Sequence, residues 1–309
     1  MLRLILDTDP GIDDALALFL ALASPEITLE AITTVCGNVP LARTTRNALT
    51  LLELAGRTDI PVAAGTSCPL VVPYVDAALV HGGTGLGSLT LPDPQIQPVS
   101  QHAVDLIIEK IMSAPGEITL VAVGPLTNLA LALRKEPRIA HAVREVYIMG
   151  GALRVPGNVT PAAEFNIYCD PHAAHAVFHA GWPLRLVSLD ATHQVSISQT
   201  RFAEFTSYGG AIKQAIRQMT DFYFDVFQAN ETSKKFHMHD PLCLAAAIYS
   251  DLITWEPAYV DVELQGTLTL GETVADFKHP EKANLLGSVA VDAERFTQFY
   301  FERMSQAYP

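Results

Sequence analysis

Alternation between strand-like and helix-like segments is the feature of this 309-residue chain that most restricts its fold. Apolar runs rich in β-branched residues predict strands at Leu2–Leu6, Leu29–Val35, Ile118–Val123, Val146–Met149 and Leu184–Leu189. Helical patterns lie between them at Asp14–Ala23, Leu41–Ala55, Ser100–Met112, Leu126–Leu133, Arg138–Arg144 and Pro171–Ala180. Such alternation produces βαβ units, so we predict an α/β fold with a mostly parallel central sheet and helices on both faces.

The last third of the chain departs from this rhythm. It predicts helices at Gln199–Thr206, Ile212–Gln228, Leu242–Tyr249 and Ala293–Met304, and strands at Tyr259–Leu264 and Ser288–Val291. Two helix starts carry capping signals: Ser100 as an N-cap, and Asp170 as an N-cap followed by Pro171. Because the sequence contains no internal repeat or linker, we expect residues 1–309 to form a single domain.

Charge and composition exclude several classes of partner. With 20 Lys and Arg against 33 Asp and Glu, the formal charge is −13, which disfavours nucleic acid and anionic membranes. No apolar run approaches the ~18 residues of a membrane span, and the N-terminus lacks a basic leader. Cys36, Cys68, Cys169 and Cys243 are far apart and predict buried free thiols, as in a cytoplasmic protein.

An acidic turn, Asp7 to Asp14, follows the first predicted strand. It places Asp7, Asp9, Asp13 and Asp14 within eight residues, around Pro10 and Gly11, without a lysine or arginine. Ionised carboxylates so close together repel one another unless they are solvated, protonated or neutralised by a cation. An oxygen-only ligand set favours Ca²⁺ or Mg²⁺ over zinc.

Three other interpretations of the acidic turn compete with a metal site. An EF-hand loop does not fit, because Leu18 stands where the bidentate glutamate belongs and a strand precedes the turn. A phosphatase with Asp7 as nucleophile and Asp9 as acid remains open, although the Asp13-Asp14 pair would repel a phosphate. The simplest alternative is a solvated loop in which Asp13 caps the next helix.

Polar residues and glycines follow the other strands too. Gly37-Asn38, Gly124, Gly150-Gly151 and Asp190 stand at successive predicted strand ends, where open α/β sheets bind ligands. Two long irregular stretches, 65–98 with His81 and 150–170 with amide and carboxylate side chains, are also predicted to be functional. Farther on, His239-Asp240 offers a proton donor and a further carboxylate, or else a loop histidine beside a helix cap.

These motifs resemble those of the nucleoside hydrolases, the inosine–uridine-preferring ribonucleoside N-ribohydrolases, and in particular the bacterial pyrimidine or mixed-specificity type. Asp7–Ala15 resembles the N-terminal signature of that family, and five further blocks follow in its order: Thr33–Val39, Val123–Asn128, Met149–Gly151, Pro161–Asn166 and Met238–Asp240. The resemblance implies the open α/β fold of that family over nearly the whole chain.

The resemblance also implies a set of site residues. One Ca²⁺ would be bound by carboxylates of Asp9, Asp14 and Asp240 and by the backbone carbonyl of Val123. Asp9 would act as general base on a calcium-bound water, and His239 would donate a proton to the leaving base. The ribonucleoside would contact Asp13, Asn38, His81, Met149, Asn158, Glu164, Phe165 and Asn166. Gly83 departs from the family pattern, because some bacterial members have glutamate there.

The expected reaction is hydrolysis of the N-glycosidic bond of ribonucleosides to free base and ribose, in nucleoside salvage. The resemblance further implies a homodimer or homotetramer. Besides the phosphatase, a Ca²⁺-dependent sugar-binding protein that retains the site without turnover stays open as the non-enzymatic alternative.

Overall fold

The computed structural model describes residues 1–227 and 235–309. The strands within these ranges are Leu2–Thr8 (β1), Ile27–Thr34 (β2), Val62–Ala64 (β3), Ile118–Ala122 (β4), Glu145–Met149 (β5), Leu184–Val187 (β6), Ser196–Ser198 (β7), Lys235–His237 (β8), Ile253–Val262 (β9), Thr273–Asp276 (β10) and Leu285–Val291 (β11).

The helices in the described part of the chain are numbered in the same way. They are Ile12–Ala23 (α1), Leu41–Leu54 (α2), Ala78–His81 (α3), Ala103–Ser113 (α4), Thr127–Lys135 (α5), Ile139–Ala142 (α6), Phe165–Cys169 (α7), Pro171–Phe178 (α8), Leu189–Thr192 (α9), Gln199–Phe205 (α10), Ala211–Phe227 (α11), His239–Ile248 (α12) and Ala293–Ala307 (α13). None of them is long and apolar enough to cross a bilayer.

Nine strands form one central sheet in the order β10-β9-β11-β6-β5-β4-β1-β2-β3. All neighbours from β11 to β3 are parallel, and only β9 and β10 add antiparallel pairs at one edge. The predicted fold class is therefore confirmed. From β1, the next two strands in sequence are added on one side of the sheet, as β2 and β3, and the following three on the other side, as β4, β5 and β6. Doubly wound sheets bind ligands where this order of strands reverses, here between β1 and β4, beyond the carboxyl ends of the strands.

Side-chain alternation along the strands divides the core between the two faces of the sheet. Leu4 and Leu6 of β1 belong to a large apolar cluster that includes residues of α1, α2, α12 and α13. Ile5 between them belongs to a second cluster with residues of α4, α5 and α8. Both clusters consist of buried residues, so helices cover both faces, as strands with apolar side chains on both faces require.

Several predicted element boundaries are wrong for local reasons. The fourth helix begins at Ala103, not near Ser100, because the ring of His102 accepts the Val104 N–H and acts as the cap. The strand predicted over Leu184–Leu189 ends at Val187, and α9 begins two residues later. Asp170 does cap α8 as predicted, accepting the Ala173 N–H.

In the last third of the chain the strands are longer than predicted. β9 begins at Ile253, before the predicted Tyr259, and β11 begins at Leu285. The helix predicted over Ile212–Gln228 corresponds to α11, but its predicted end at Gln228 lies outside the described residues. One prediction about the thiols is also wrong: Cys68 is exposed, whereas the other three cysteines are buried and free.

Candidate active site

A cavity of about 310 Å³ opens at the carboxyl ends of the central parallel strands. This volume suits a small organic ligand. Residues from segments far apart in the chain line it: Asp13, Asn38, Asp76, Ala77, Leu79, Val80, His81, Val123, Met149, Asn158, Val159, Glu164, Phe165, Asn166, His239 and Asp240. Eleven of the predicted site residues therefore meet in one cavity, while the two others, Asp9 and Asp14, are buried next to the lining residue Asn38.

Asp14 shapes the turn between β1 and α1. One carboxylate oxygen accepts the Thr8 hydroxyl at 2.5 Å and the Asp9 N–H at 3.2 Å. The other accepts the N–H of Gly11, the N-cap of α1, at 2.9 Å and the Asn38 amide at 2.9 Å. The capping carboxylate is thus Asp14 and not Asp13, which leaves Asp13 to line the cavity.

Asp9 is held between two glycines. Its Oδ2 accepts the Asn38 N–H at 2.6 Å, and its Oδ1 is buried without a hydrogen-bond partner. A Cβ at Gly37 would lie 2.0 Å from Oδ2, and one at Gly124 would lie 2.5 Å from Oδ1. Only glycine permits so close a backbone approach, which explains the glycines after β2 and β4.

Asp240 brings a third carboxylate from the other end of the chain. It stands in the first turn of α12, a helix that packs against α1. Carboxylate oxygens of Asp13, Asp14 and Asp240 lie within 4.8 Å of one another, which is close enough to share a metal ion. The structure includes Asp13 in this close group, whereas the sequence-based set contained Asp9 in its place.

The electrostatics of this acidic group are unfavourable in the absence of a cation. Burial raises the pKa of Asp9 and of Asp240 well above the usual range, and repulsion from the other carboxylates raises both further. Burial also raises the pKa of Asp13 to about 6. The described residues that line the cavity include no lysine or arginine. A divalent cation would relieve this repulsion directly.

Two histidines line the cavity with different hydrogen-bond partners. His81 accepts the Ile12 N–H through Nδ1 at 3.0 Å, so its neutral ring carries the proton on Nε2, and burial lowers its pKa to about 4. His239 Nδ1 lies 2.8 Å from the Thr192 hydroxyl. Burial lowers the pKa of His239 well below its usual range, and nearby His237 and His193 lower it further.

Most predicted sugar-binding side chains are already anchored to the backbone. Glu164 accepts the N–H groups of Gly151, Asn166 and Ile167, and thereby caps α7. Asn158 accepts the Phe165 N–H at 3.0 Å. Asn166 donates to the carbonyls of Val123 and Met149 at 2.9 and 3.2 Å. These contacts fix the side chains in place before a ligand arrives.

The sequence did not single out five lining residues, Asp76, Ala77, Leu79, Val80 and Val159. The first four lie in the irregular stretch 65–98, and the length of that stretch is the only sequence feature that indicates a functional role for them. Leu79 is 89% exposed although it is a large apolar residue, and it stands at the rim of the cavity. An exposed apolar side chain in that position is suited to contact a ligand.

The phosphatase alternative fails on the position of Asp7. This residue is fully buried inside β1, opposite Thr33 of β2 and Ala122 of β4, and it does not line the cavity. Its Oδ2 accepts hydrogen bonds from Thr33 and Asn128. Burial raises the pKa of Asp7 to about 7, so its carboxyl group is partly protonated near neutral pH. A nucleophile must be ionised and must reach the substrate, and Asp7 lies outside the cavity.

Comparison with known proteins identifies the family of this chain. The sequence model of the inosine-uridine preferring nucleoside hydrolases matches residues 4–298. The chain is 44% identical to the inosine-uridine preferring nucleoside hydrolase of Crithidia fasciculata, over 95% of this chain and 94% of that protein. It is 40% identical to the pyrimidine-specific ribonucleoside hydrolase RihA of Enterobacter sp. (strain 638), covering 99% of this chain and 98% of that protein.

Structural similarity extends over the same length. The purine-preferring ribonucleoside hydrolase from Gardnerella vaginalis superimposes with a TM-score of 0.94 and 33% identity, covering 99% of this chain and 98% of that one. The fold and the acidic cavity define a hydrolase with a mostly parallel α/β sheet and a cluster of carboxylates that could hold a metal ion. The chain belongs to the family of inosine-uridine preferring nucleoside hydrolases and is an enzyme of that type.

Proposed function

We propose that the protein hydrolyses the N-glycosidic bond of ribonucleosides, releasing free base and ribose, with Ca²⁺ as its metal ion. The observation that carries the proposal is the acidic cavity itself. It combines clustered carboxylates, anchored amide groups and a histidine in a space suited to a small ligand. Because positive charge develops on the ribose ring when this bond breaks, a negatively charged cavity stabilises the transition state.

The donor set of the cavity fits a hard divalent cation. The Asp9 Oδ1 atom is a buried oxygen without a partner, and Asp14 and Asp240 are buried beside it. These three carboxylates and the carbonyl of Val123 would bind the ion, and Asp13 is a further candidate. The Val123 carbonyl can accept from Asn166 and still bind a cation, since it has two lone pairs. Bound Ca²⁺ would supply positive charge that stabilises the ionised carboxylates and acidifies a neighbouring water.

Residues of the chain would perform the proton transfers and hold the sugar. Asp9, whose side chain is fully buried, would accept a proton from the attacking water. Asn38 already donates to Asp9 and Asp14 through Nδ2, so its Oδ1 would accept from a ribose hydroxyl. Asp13, Glu164 and the two other asparagines would bind the remaining hydroxyls, with Met149 beneath the ring. A deoxyribose would leave such polar partners unpaired, which favours ribose.

His239 would donate a proton to the departing base; burial lowers the pKa of the free ring, and negative charge developing on the base would favour its protonated form. Since Nδ1 contacts Thr192, Nε2 is the ring atom left for the substrate. We expect His239→Ala to slow hydrolysis of natural ribonucleosides by about 10²-fold or more. Release of p-nitrophenol from its riboside should change only a few-fold, because that leaving group needs no proton. Steady-state kinetics on both substrates test this, with His141→Ala as a control at an exposed histidine. An equal loss on both substrates contradicts the acid role.

A substrate panel with and without chelator tests the whole proposal. We expect ribose release from uridine, cytidine or inosine, abolished by a chelator and restored by Ca²⁺. Phosphate release from p-nitrophenyl phosphate would contradict it, and so would tight nucleoside binding without turnover. The same panel reports base preference. The rim residues Leu79, Val80 and Val159 are apolar and offer packing, not base-specific hydrogen bonds.

Three broader predictions belong to the same proposal. Residues 1–309 would form one domain, supported by the nine-stranded sheet, whose first strand begins at Leu2 and whose last strand ends at Val291. The free thiols favour a reducing compartment such as the cytoplasm. A homodimer or homotetramer follows from the family resemblance and is measured by light scattering coupled to size-exclusion chromatography.

A further inference from the structure

A second group of metal-ligating side chains lies away from the acidic cavity. It consists of His175 and His179, one turn apart at the end of α8, and Asp261 of β9. One ligand atom from each lies within 4.8 Å of the others. None of the three lines the cavity, and the side chains are 42, 31 and 39% exposed. The group is therefore open to ions in solution.

The hydrogen bonds of His179 define which of its nitrogens is available. Nδ1 lies 2.8 Å from the carbonyl oxygen of His175, which can only accept, so Nδ1 carries the proton. The lone pair of the neutral ring is then on Nε2, the atom that faces Asp261 Oδ2 at 4.0 Å. Metal-binding histidines commonly donate their other N–H to a carbonyl in this way.

His175 and Asp261 already share a short contact. His175 Nδ1 lies 2.7 Å from Asp261 Oδ1, and the two imidazole rings have centroids 4.5 Å apart. Ligand atoms around tetrahedral Zn²⁺ lie about 3.3 Å from one another. The 2.7 Å distance between His175 Nδ1 and Asp261 Oδ1 must therefore lengthen, and the 4.0 Å distance between His179 Nε2 and Asp261 Oδ2 must shorten, each by several tenths of an ångström. Small rotations of these half-exposed side chains allow both changes. Binding through His175 Nδ1 would require the tautomer of the neutral ring that carries its proton on Nε2.

We propose that His175, His179 and Asp261 form a second metal site, selective for a borderline transition-metal ion such as Zn²⁺. Two imidazoles and one carboxylate suit Zn²⁺, Co²⁺ or Ni²⁺ and are poor ligands for Ca²⁺. Water would complete the coordination on the exposed side. The ion would link α8 to β9 across 86 residues of sequence, so binding should stabilise the fold.

Calorimetric titration of the full-length protein with ZnCl₂, in excess Ca²⁺ to occupy the carboxylates of the cavity, tests this site. We expect one equivalent of Zn²⁺ to bind and to raise Tm. Removing an outer partner of a metal ligand weakens binding about 10- to 100-fold. His175→Ala and His179→Ala, which each remove a ligand, should therefore cost at least that much. CoCl₂ should give an absorption spectrum with histidine ligation that both variants lose.

Two further variants separate metal binding from structural effects. Tyr259→Phe should retain or tighten Zn²⁺ binding, because the Tyr259 hydroxyl lies 3.3 Å from the same Nε2 atom and competes for it. His279→Ala is the matched control, since His279 Nδ1 contacts Asp276 at 2.6 Å with similar exposure but lies outside the three-residue group. Its Zn²⁺ affinity should be unchanged.

The proposal fails if Zn²⁺ binding survives in both His175→Ala and His179→Ala, or if His279→Ala weakens it equally. It also fails if excess Ca²⁺ abolishes Zn²⁺ binding, which would assign the ion to the acidic cavity. Thermal melts without metal establish that the variants fold, and His175→Gln replaces His175→Ala if that variant does not. Hydrolysis of ribonucleosides is a separate measurement, so failure of one proposal leaves the other standing.

Discussion

Asp9→Asn is expected to lower kcat for ribonucleosides by at least about 10⁴-fold, because it removes the proposed general base and a metal ligand together. The substitution preserves shape, so the Asn38 N–H can still donate to the side-chain oxygen that replaces Oδ2. Stopped assays of ribose release measure the loss. Asp93→Asn, at a side chain that is 89% exposed, is the control and should retain full activity.

The same variant should be more stable than the parent when metal is removed. Burial, and after it repulsion from Asp14, raises the pKa of Asp9 well above its usual range. Below the unfolded-state pKa of about 4, the Asp9 carboxyl is neutral in both the folded and the unfolded protein. As the pH rises above that value, the carboxyl ionises more readily in the unfolded protein, so the free energy of unfolding falls. Asparagine removes that cost.

We therefore expect Asp9→Asn to raise Tm in chelator at neutral pH, with the difference disappearing near pH 3. Scanning calorimetry across that range measures it. Near-normal turnover in the variant would reject the double role of Asp9. A lower Tm at neutral pH would show that the carboxylate is stabilised by contacts other than a cation.

Gly37→Ala should be the second most damaging change, although it adds only one methyl group. The new Cβ would lie 2.0 Å from Asp9 Oδ2 and 2.8 Å from Pro125 Cδ, so the carboxylate has to move. A misplacement of about 1 Å in a catalytic group can cost 10²-fold in rate, and overpacking of a core costs about 1–3 kcal/mol. We expect losses of that size in kcat/KM and in the free energy of unfolding.

Kinetics and urea denaturation of Gly37→Ala measure both effects. Gly210→Ala is the matched control, because its added Cβ meets no atom within 4 Å and its backbone does not require glycine. Gly124→Ala, whose Cβ would lie 2.5 Å from the other oxygen of Asp9, should behave like Gly37→Ala. Full activity in both active-site variants would show that Asp9 does not need its present position.

Local patterns in the sequence were sufficient to predict the α/β architecture. Period-two alternation in β1 sends Leu4 and Leu6 to one face and Ile5 to the other, and the interspersed helices require a parallel sheet covered on both sides. Parallel strands share one carboxyl edge, so the acids after β1 and the glycines after β2 and β4 were expected to meet there. These features depend on residues close together in the chain, which is why the sequence alone predicts them.

Tertiary structure decided the contacts between distant segments. The strand order places β1 beside β4, which brings Gly124 against Asp9, and the packing of α12 on α1 brings Asp240 to Asp14. The choice of Asp14 over Asp13 as the cap of α1, and the rim position of Leu79, likewise depend on three-dimensional packing. Sequence spacing carries no information on such contacts, because they depend on which surfaces of the helices and strands become buried together when the chain folds.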